Sequence, residues 1–119
     1  MTIQDVLAVL DEIAPPSLAF SFDRIGLQVG DPFCDVKGVM VTLDCTTGCI
    51  DNCISKGLNL VISHHPIIWE PLKSLRTDSV VGRILTKMVT SGTGMIAAHT
   101  NWDVAEGGVN DALTKKLGL

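Results

Sequence analysis

Two adjacent imidazoles, His64 and His65, end the apolar segment NLVISHHPIIW, and a second apolar run closes in AAHTNWD, which offers His99 and Asp103. Imidazole nitrogens and a carboxylate oxygen suit zinc, manganese, iron or nickel, so the pattern points to divalent metal. Inside a regular strand neighbouring side chains face opposite ways, and His64 and His65 could not share one crevice. Pro66 changes this. It lacks an amide donor and biases His65 toward extended backbone, marking where a ladder ends and side-chain directions become free. Two imidazoles on such a turn suit two separate ions, one each, better than chelation of a single ion. The plainer alternative makes them loop residues bonded to backbone; the carboxylate beyond the next apolar run favours metal. Spacing alone leaves Asp103 open as a ligand or as a cap of the next helix. His99 is expected behind the ligands, hydrogen-bonding one of them.

The elements that must position these residues follow from pattern. Thr2 reads as the N-cap of a helix carrying Ile3, Val6, Leu7, Leu10 and Ile13, stopped by Pro15-Pro16. GLQVG (26–30) and VKGVMVTL (36–43) read as strands. A helix over 46–56 follows, ended by Gly57, with Asp44 and Thr46 as its caps. LNLVI (58–62) reads as a strand covered on both faces. Asp78 is expected to cap a helix with Val80, Val81, Ile84, Leu85, Met88 and Val89 on one side, ended by Gly92. A strand over 95–98 and a helix with Val109, Ala112, Leu113 and Leu117 after Gly107-Gly108 complete the order α-β-β-α-β-α-β-α. That alternation predicts an α/β fold with a mainly parallel sheet, whose crevice lies beyond the carboxyl ends of the strands. Asp44, His64-His65 and His99 to Asp103 would converge there. Trp69 and Trp102 flank the two motifs and either wall the crevice or simply pack. Gly107-Gly108 is a weak signal for an oxyanion held on backbone amides.

At 119 residues and 46% hydrophobic content, the chain fits a single domain over 1–119 with a real core. Thirteen acidic against nine basic residues give no electrostatic footprint for sequence-independent nucleic-acid binding. No secretion signal stands at the start and no apolar run reaches the roughly 18 residues of a membrane span, so a cytoplasmic protein is expected. Cys45, Cys49 and Cys53 recur at four-residue spacing in the predicted helix, a poor geometry for mutual disulfides. With Cys34 they read as reduced thiols, and as core residues in preference to zinc or iron–sulfur ligands.

These motifs resemble the Nif-three-like dinuclear metal centre family, also known as GTP cyclohydrolase I type 2 homologues. The stretches SFDRIGLQVGDP, VKGVMVTLDCT, NLVISHHPIIW and AAHTNWDVAEGGVNDALTKKLGL carry the resemblance through nearly the whole chain, in the family's order. It implies a mixed-sheet α/β unit, a two-metal centre with His64, His65 and Asp103 as ligands, and ring-like homo-hexamers. Family members carry a second, related half that supplies a further His and a bridging Glu in an HxxxE-type arrangement. This chain matches the N-terminal half, and no HxxxE surrounds His99. Phe22 and Arg24 stand where the family usually has Trp and Asn.

Two-metal hydrolysis uses bridging ligands that hold the ions about 3.5–4 Å apart. His64, His65 and Asp103 leave two ions under-coordinated, so this chain alone is expected to bind metal weakly unless a further half or a partner chain completes the centre. The leading functional expectation is a metal-dependent hydrolase acting on a small molecule. A non-catalytic metal-binding assembly or regulatory module is the alternative, favoured by the missing bridging carboxylate. A structural domain that binds no metal is the third.

Overall fold

Helix α1 (Ile3–Ile13) starts where Thr2 and Asp5 close a capping box: the Asp5 amide donates to Thr2 Oγ1 at 3.2 Å, and the Thr2 amide to Asp5 Oδ2 at 2.7 Å. The chain then makes a single 3-10 turn at Pro16–Leu18. The computed structural model describes residues 1–119 and contains four strands, β1 (Gly26–Val29), β2 (Val39–Thr42), β3 (Leu60–Ser63) and β4 (Gly94–Ala97). They form one mixed sheet in the order β1-β4-β3-β2. Strands β2, β3 and β4 are parallel, joined by α2 (Thr47–Ser55) and α3 (Val80–Ser91), while β1 runs antiparallel to β4. Two short helices, α4 (Thr100–Val104) and α5 (Val109–Leu117), follow the sheet.

Alternation along the strands divides the core in two. Val61, Met95 and Ala97 face α2 and α3 and pack with Ile50, Cys53, Ile84, Leu85 and Met88. Leu60 and Ile96 face α1 and pack with Ile3, Val6, Leu7 and Leu10. Strands β3 and β4 are therefore covered on both sides, as their unbroken apolar sequences predict. In the parallel register Thr42 pairs with Ser63 and Ser63 with Ala97, so three neighbouring strands end level. The register of β1 on β4 slips between Leu27 and Val29, which leaves Gln28 as the extra residue of a bulge and turns its side chain out of the ladder.

Several expectations need correction. The 3-10 turn and α4 occupy segments to which no element was assigned, because both are too short to show a periodic face. Ser79, not Asp78, caps α3: its Oγ accepts from the Gly82 amide at 3.0 Å, while Asp78 is held away by a two-pronged pair with Arg76. Thr46 does cap α2, accepting from the Cys49 amide at 3.1 Å, but Asp44 turns elsewhere and Cys45 precedes the helix. The Gly107-Gly108 amides already donate to Asp111 Oδ2 and to the Ala105 carbonyl, so they hold no oxyanion. Gly108 is instead a packing requirement, since a Cβ there would lie 2.0 Å from the Trp102 carbonyl oxygen.

All four cysteines are free thiols, and Cys45 and Cys53 belong to the core. Burial, reinforced by repulsion from the neighbouring Cys49 and Cys53 thiolates, pushes the Cys45 thiol up to about 12. No helix is long and apolar enough to cross a membrane.

Candidate metal centre

Backbone bonding carries the ladder slightly past the strands and ends it before Pro66. The His64 and His65 amides donate to the Thr42 and Leu43 carbonyls at 3.1 and 3.0 Å, and the Ala98 amide donates to Ser63 O at 3.0 Å. Buried Ser63 staples the turn, its hydroxyl lying 2.9 Å from His65 O and 3.1 Å from Leu43 O. Beyond this point the rings are free to turn, and they gather. Centroid separations are 5.2 Å for His64–His65, 5.1 Å for His64–His99 and 5.7 Å for His65–His99. One ring nitrogen from each of the three lies within 4.8 Å of the other two.

Every Nδ1 of the cluster is engaged from behind. His64 Nδ1 lies 3.0 Å from the Ala98 carbonyl, His65 Nδ1 2.7 Å from Asp44 Oδ1, and His99 Nδ1 2.8 Å from Asp23 Oδ1. Each partner can only accept, so Nδ1 carries the ring proton and Nε2 keeps its lone pair in all three neutral rings. Backing of this kind orients metal-binding histidines and raises their basicity. Asp103, on α4, brings Oδ1 to 3.4 Å from His64 Nε2. In the neutral ring the Nε2 lone pair and the carboxylate oxygen face and repel each other, and a cation between them converts the repulsion into two bonds. The donor set therefore fits a divalent ion. Two nitrogens on one tetrahedral zinc stand about 3.3 Å apart at the usual bond lengths, so the rings would close somewhat around a single ion.

Asp23 is the most constrained group here, its side chain only 1% exposed. Its Oδ1 accepts from His99 and from the Arg24 amide at 2.7 Å, and its Oδ2 accepts from the Thr100 amide at 2.9 Å and from the Thr100 hydroxyl. Burial opposes its ionisation, but the bonds from Thr100, His99 and Arg24 outweigh it and bring the carboxyl down to about 2. The base of the cluster thus carries a fixed negative charge directly behind His99.

Beside the rings, a cavity of about 490 Å³ opens between the starts of α2 and α3, lined by Asp44, Thr46, Thr47, His65 and Arg83 among others. Trp69 stands edge-on to His99 with centroids 6.0 Å apart. Trp102 lies on the other side and, with Leu10, Ile13, Val41, Ile62 and His64, lines an apolar groove of about 250 Å³.

This geometry meets an independent finding. Residues 1–119 match the profile of the family described as Duf34/NIF3 (NGG1p interacting factor 3). The chain belongs to the DUF34/NIF3 family. Within it, a GTP cyclohydrolase 1 type 2 homolog of Bacillus subtilis (strain 168) is 42% identical over 116 residues, which cover 98% of this chain and 31% of the relative. The crystal structure of Staphylococcus aureus protein SA1388 superposes with a TM-score of 0.94 at 42% identity, covering all of this chain and 38% of that one. Reduced HcgD from Methanocaldococcus jannaschii superposes with a TM-score of 0.91 at 29% identity, over all of this chain and 48% of that one. The chain thus spans less than half the length of each of these three proteins.

The sequence motifs led to His64, His65, His99 and Asp103, and the fold brings all four to one place. His99, expected behind the others, has its ring among them, and Asp103 lies within α4 and does not cap α5. One site residue escaped sequence reasoning: Asp23 was assigned to nothing, though it sits inside SFDRIGLQVGDP, one of the stretches that carry the family resemblance. Asp44 was expected at the same sheet edge, but as a helix cap and not as the partner of His65.

Proposed function

We propose that the chain binds divalent metal at His64, His65 and His99 through Nε2, with Asp103 as the carboxylate ligand. The reading rests on one observation: three imidazoles share a cluster while every Nδ1 proton is already given to an acceptor. A bound ion supplies Lewis acidity, polarising a carbonyl, imine or phosphoryl oxygen and acidifying water. The chain's own part is to hold the rings in one tautomer, anchor Asp23 and Asp44 behind them, and keep the adjoining cavity, of a volume usual for small-molecule sites. Two ions, as the family resemblance implies, need bridging groups beyond these four side chains.

The natural setting of this reading is a metal-dependent hydrolase of the GTP cyclohydrolase 1 type 2 kind, named for relatives more than twice this length, in which further chain completes the centre. Support for a larger assembly comes from edge strand β2. Val39, Val41 and Leu43 expose an apolar row, with Val41 76% exposed and neither proline nor charge within the strand to discourage pairing. The homo-hexamer that the family resemblance implies is one such assembly.

A second reading, metal binding without turnover, is favoured by the orientation of the carboxylates. Asp23 and Asp44 address Nδ1 atoms, and Asp103 approaches His64 alone, so no carboxylate bridges the cluster. Equilibrium dialysis against zinc, manganese and nickel, followed by elemental analysis and a hydrolysis screen, separates the readings. Bound metal with turnover supports the hydrolase, bound metal without turnover in a full-length relative supports the module, and protein that emerges free of all three metals rules out both.

A further inference from the structure

Helix α5 lacks a partner within the chain. Its sequence VNDALTKKL sets Val109, Leu113 and Leu117 four residues apart, which puts them in one apolar stripe. Yet all nine residues of α5 are exposed, Leu113 by 54% and Leu117 by 64%. A helix shorter than about 12–15 residues is marginal in water unless tertiary packing covers its apolar face. Among the neighbours of Leu113 one turn away on either side, Val109, Asn110, Lys116 and Leu117, only Lys116 is charged.

A surface of matching character stands elsewhere on the fold. Helices α2 and α3 cover one face of the sheet, whereas α1 alone lies on the other, over β3 and β4. Val39, Val41 and Leu43 alternate with Met40, which packs on the α2–α3 side, so they share the α1 face and stay exposed on it. Ile13 of α1 flanks Val41 in the apolar groove of about 250 Å³ that Trp102 and His64 also line. Val9, one turn before Ile13, extends the same flank and is half-exposed too. Its other neighbours on the helix, Asp5 and Glu12, make that rim acidic, and α1 carries no basic residue. The row from Val39 to Leu43 spans about 13 Å along the strand, and the stripe from Val109 to Leu117 about 12 Å along the helix. Charge sets the direction as well. Lys37 precedes the Val39 end of the row, while Glu12 adjoins Ile13 at the Val41 end, so Lys116 is drawn to the Glu12 end.

We propose that this groove receives α5 of a second copy of the chain, with Val109, Leu113 and Leu117 laid on Val39, Val41 and Leu43, and Lys116 beside Glu12. A groove and its filler on different parts of one chain join copies head to tail, which builds rings or filaments and not a closed two-fold dimer. The proposal deepens the assembly reading given above for β2, on which it rests, by naming the surface that covers the strand. Metal has no part in it.

Sedimentation velocity on the 119-residue chain tests the contact. Wild type should form species that grow past the dimer as concentration rises. Val41→Glu, which charges the groove, and Leu113→Glu, which charges the helix, should each remain monomers of 12.7 kDa. Mixed in equal amounts they should give a dimer that grows no further, since the intact helix of Val41→Glu fits the intact groove of Leu113→Glu. Glu12→Lys should weaken wild-type association about twofold to fivefold, and adding Lys116→Glu should restore it; failure of that rescue contradicts the placement of Lys116. If circular dichroism shows Val41→Glu unfolded, Val9→Glu on the facing wall replaces it, and Leu117→Glu replaces an unfolded Leu113→Glu. A mixture of folded variants that stays monomeric overturns the proposal, as does wild type that stays monomeric at every concentration. Assemblies that either variant leaves intact overturn this contact and spare the reading of a larger assembly. Zinc content, measured on the same samples, reports the metal centre independently.

Discussion

Replacing Asp23 by Asn separates orientation from charge at the base of the cluster. The native carboxylate accepts from four donors: His99 Nδ1, the Arg24 amide, the Thr100 amide and the Thr100 hydroxyl. Asparagine has one acceptor oxygen and two N–H donors, so either orientation sets a donor against a donor. With the oxygen toward Thr100, the amide N–H faces His99 Nδ1 and obliges that nitrogen to accept. The ring proton then moves to Nε2, and the lone pair offered to a metal is lost. Bringing the carboxyl from 3.8 down to about 2 corresponds to roughly 2 kcal/mol of native-state preference for the anion. Hydrogen bonds to charged groups carry a similar weight, so Asp23→Asn should cost about 2–4 kcal/mol in urea unfolding, with the m-value unchanged. Zinc affinity, read by competition with a chromophoric chelator, should fall about tenfold to hundredfold. The sign with pH is fixed too. A depressed folded-state value means that the stabilisation is present above the unfolded carboxyl value near 4 and is lost as pH falls toward 2. Wild type should lose stability in that window more steeply than Asp23→Asn. A variant with native zinc affinity and a stability change within about 0.5 kcal/mol would refute the reasoning.

Other perturbations probe separate parts of the account. Asp44→Ala should change stability by less than about 1 kcal/mol, because the pair with His65 is exposed, yet lower zinc affinity by freeing His65 Nδ1; equal zinc binding in chelator competition would contradict the backing role. Cys45 and Cys53, whose thiols burial pushes up, should resist iodoacetamide at neutral pH in the native state and react in urea, as mass spectrometry would show. Because those values are raised on folding, their contribution holds below the unfolded thiol value and fades as pH climbs above about 9. Gly82→Ala should destabilise by about 1–3 kcal/mol despite alanine's helix preference, since the new Cβ would lie 1.8 Å from the Arg76 carbonyl oxygen; a raised melting temperature would show that this contact relaxes freely.

Legibility followed the range of the interactions. Helix α1 was readable because its cap, apolar stripe and proline stop are all local, and α3 because Gly92 takes the left-handed conformation, φ 67°, at the expected end. Strands β3 and β4 showed as apolar runs because both their faces are buried. His64-His65 and the HTNWD segment were visible because chemistry-bearing residues follow those runs directly. What stayed hidden depends on contacts between distant residues. Asp23 reaches His99 across 76 positions and Asp44 reaches His65 across 21, and neither spacing leaves a local pattern. Asp78 was read as the cap of α3, but it pairs with Arg76, and Ser79 beside it caps the helix instead. Helix α4 is only five residues long, too short for a periodic signal, although it sets the position of Asp103.

Diffraction from zinc-soaked crystals, recorded above and below the zinc absorption edge, addresses the ligand set most directly. The account predicts an anomalous peak about 2.0–2.1 Å from Nε2 of one or more of His64, His65 and His99, with Asp103 turned toward it. Crystals whose only zinc peaks lie at surface carboxylates, with the three rings unchanged, would contradict it.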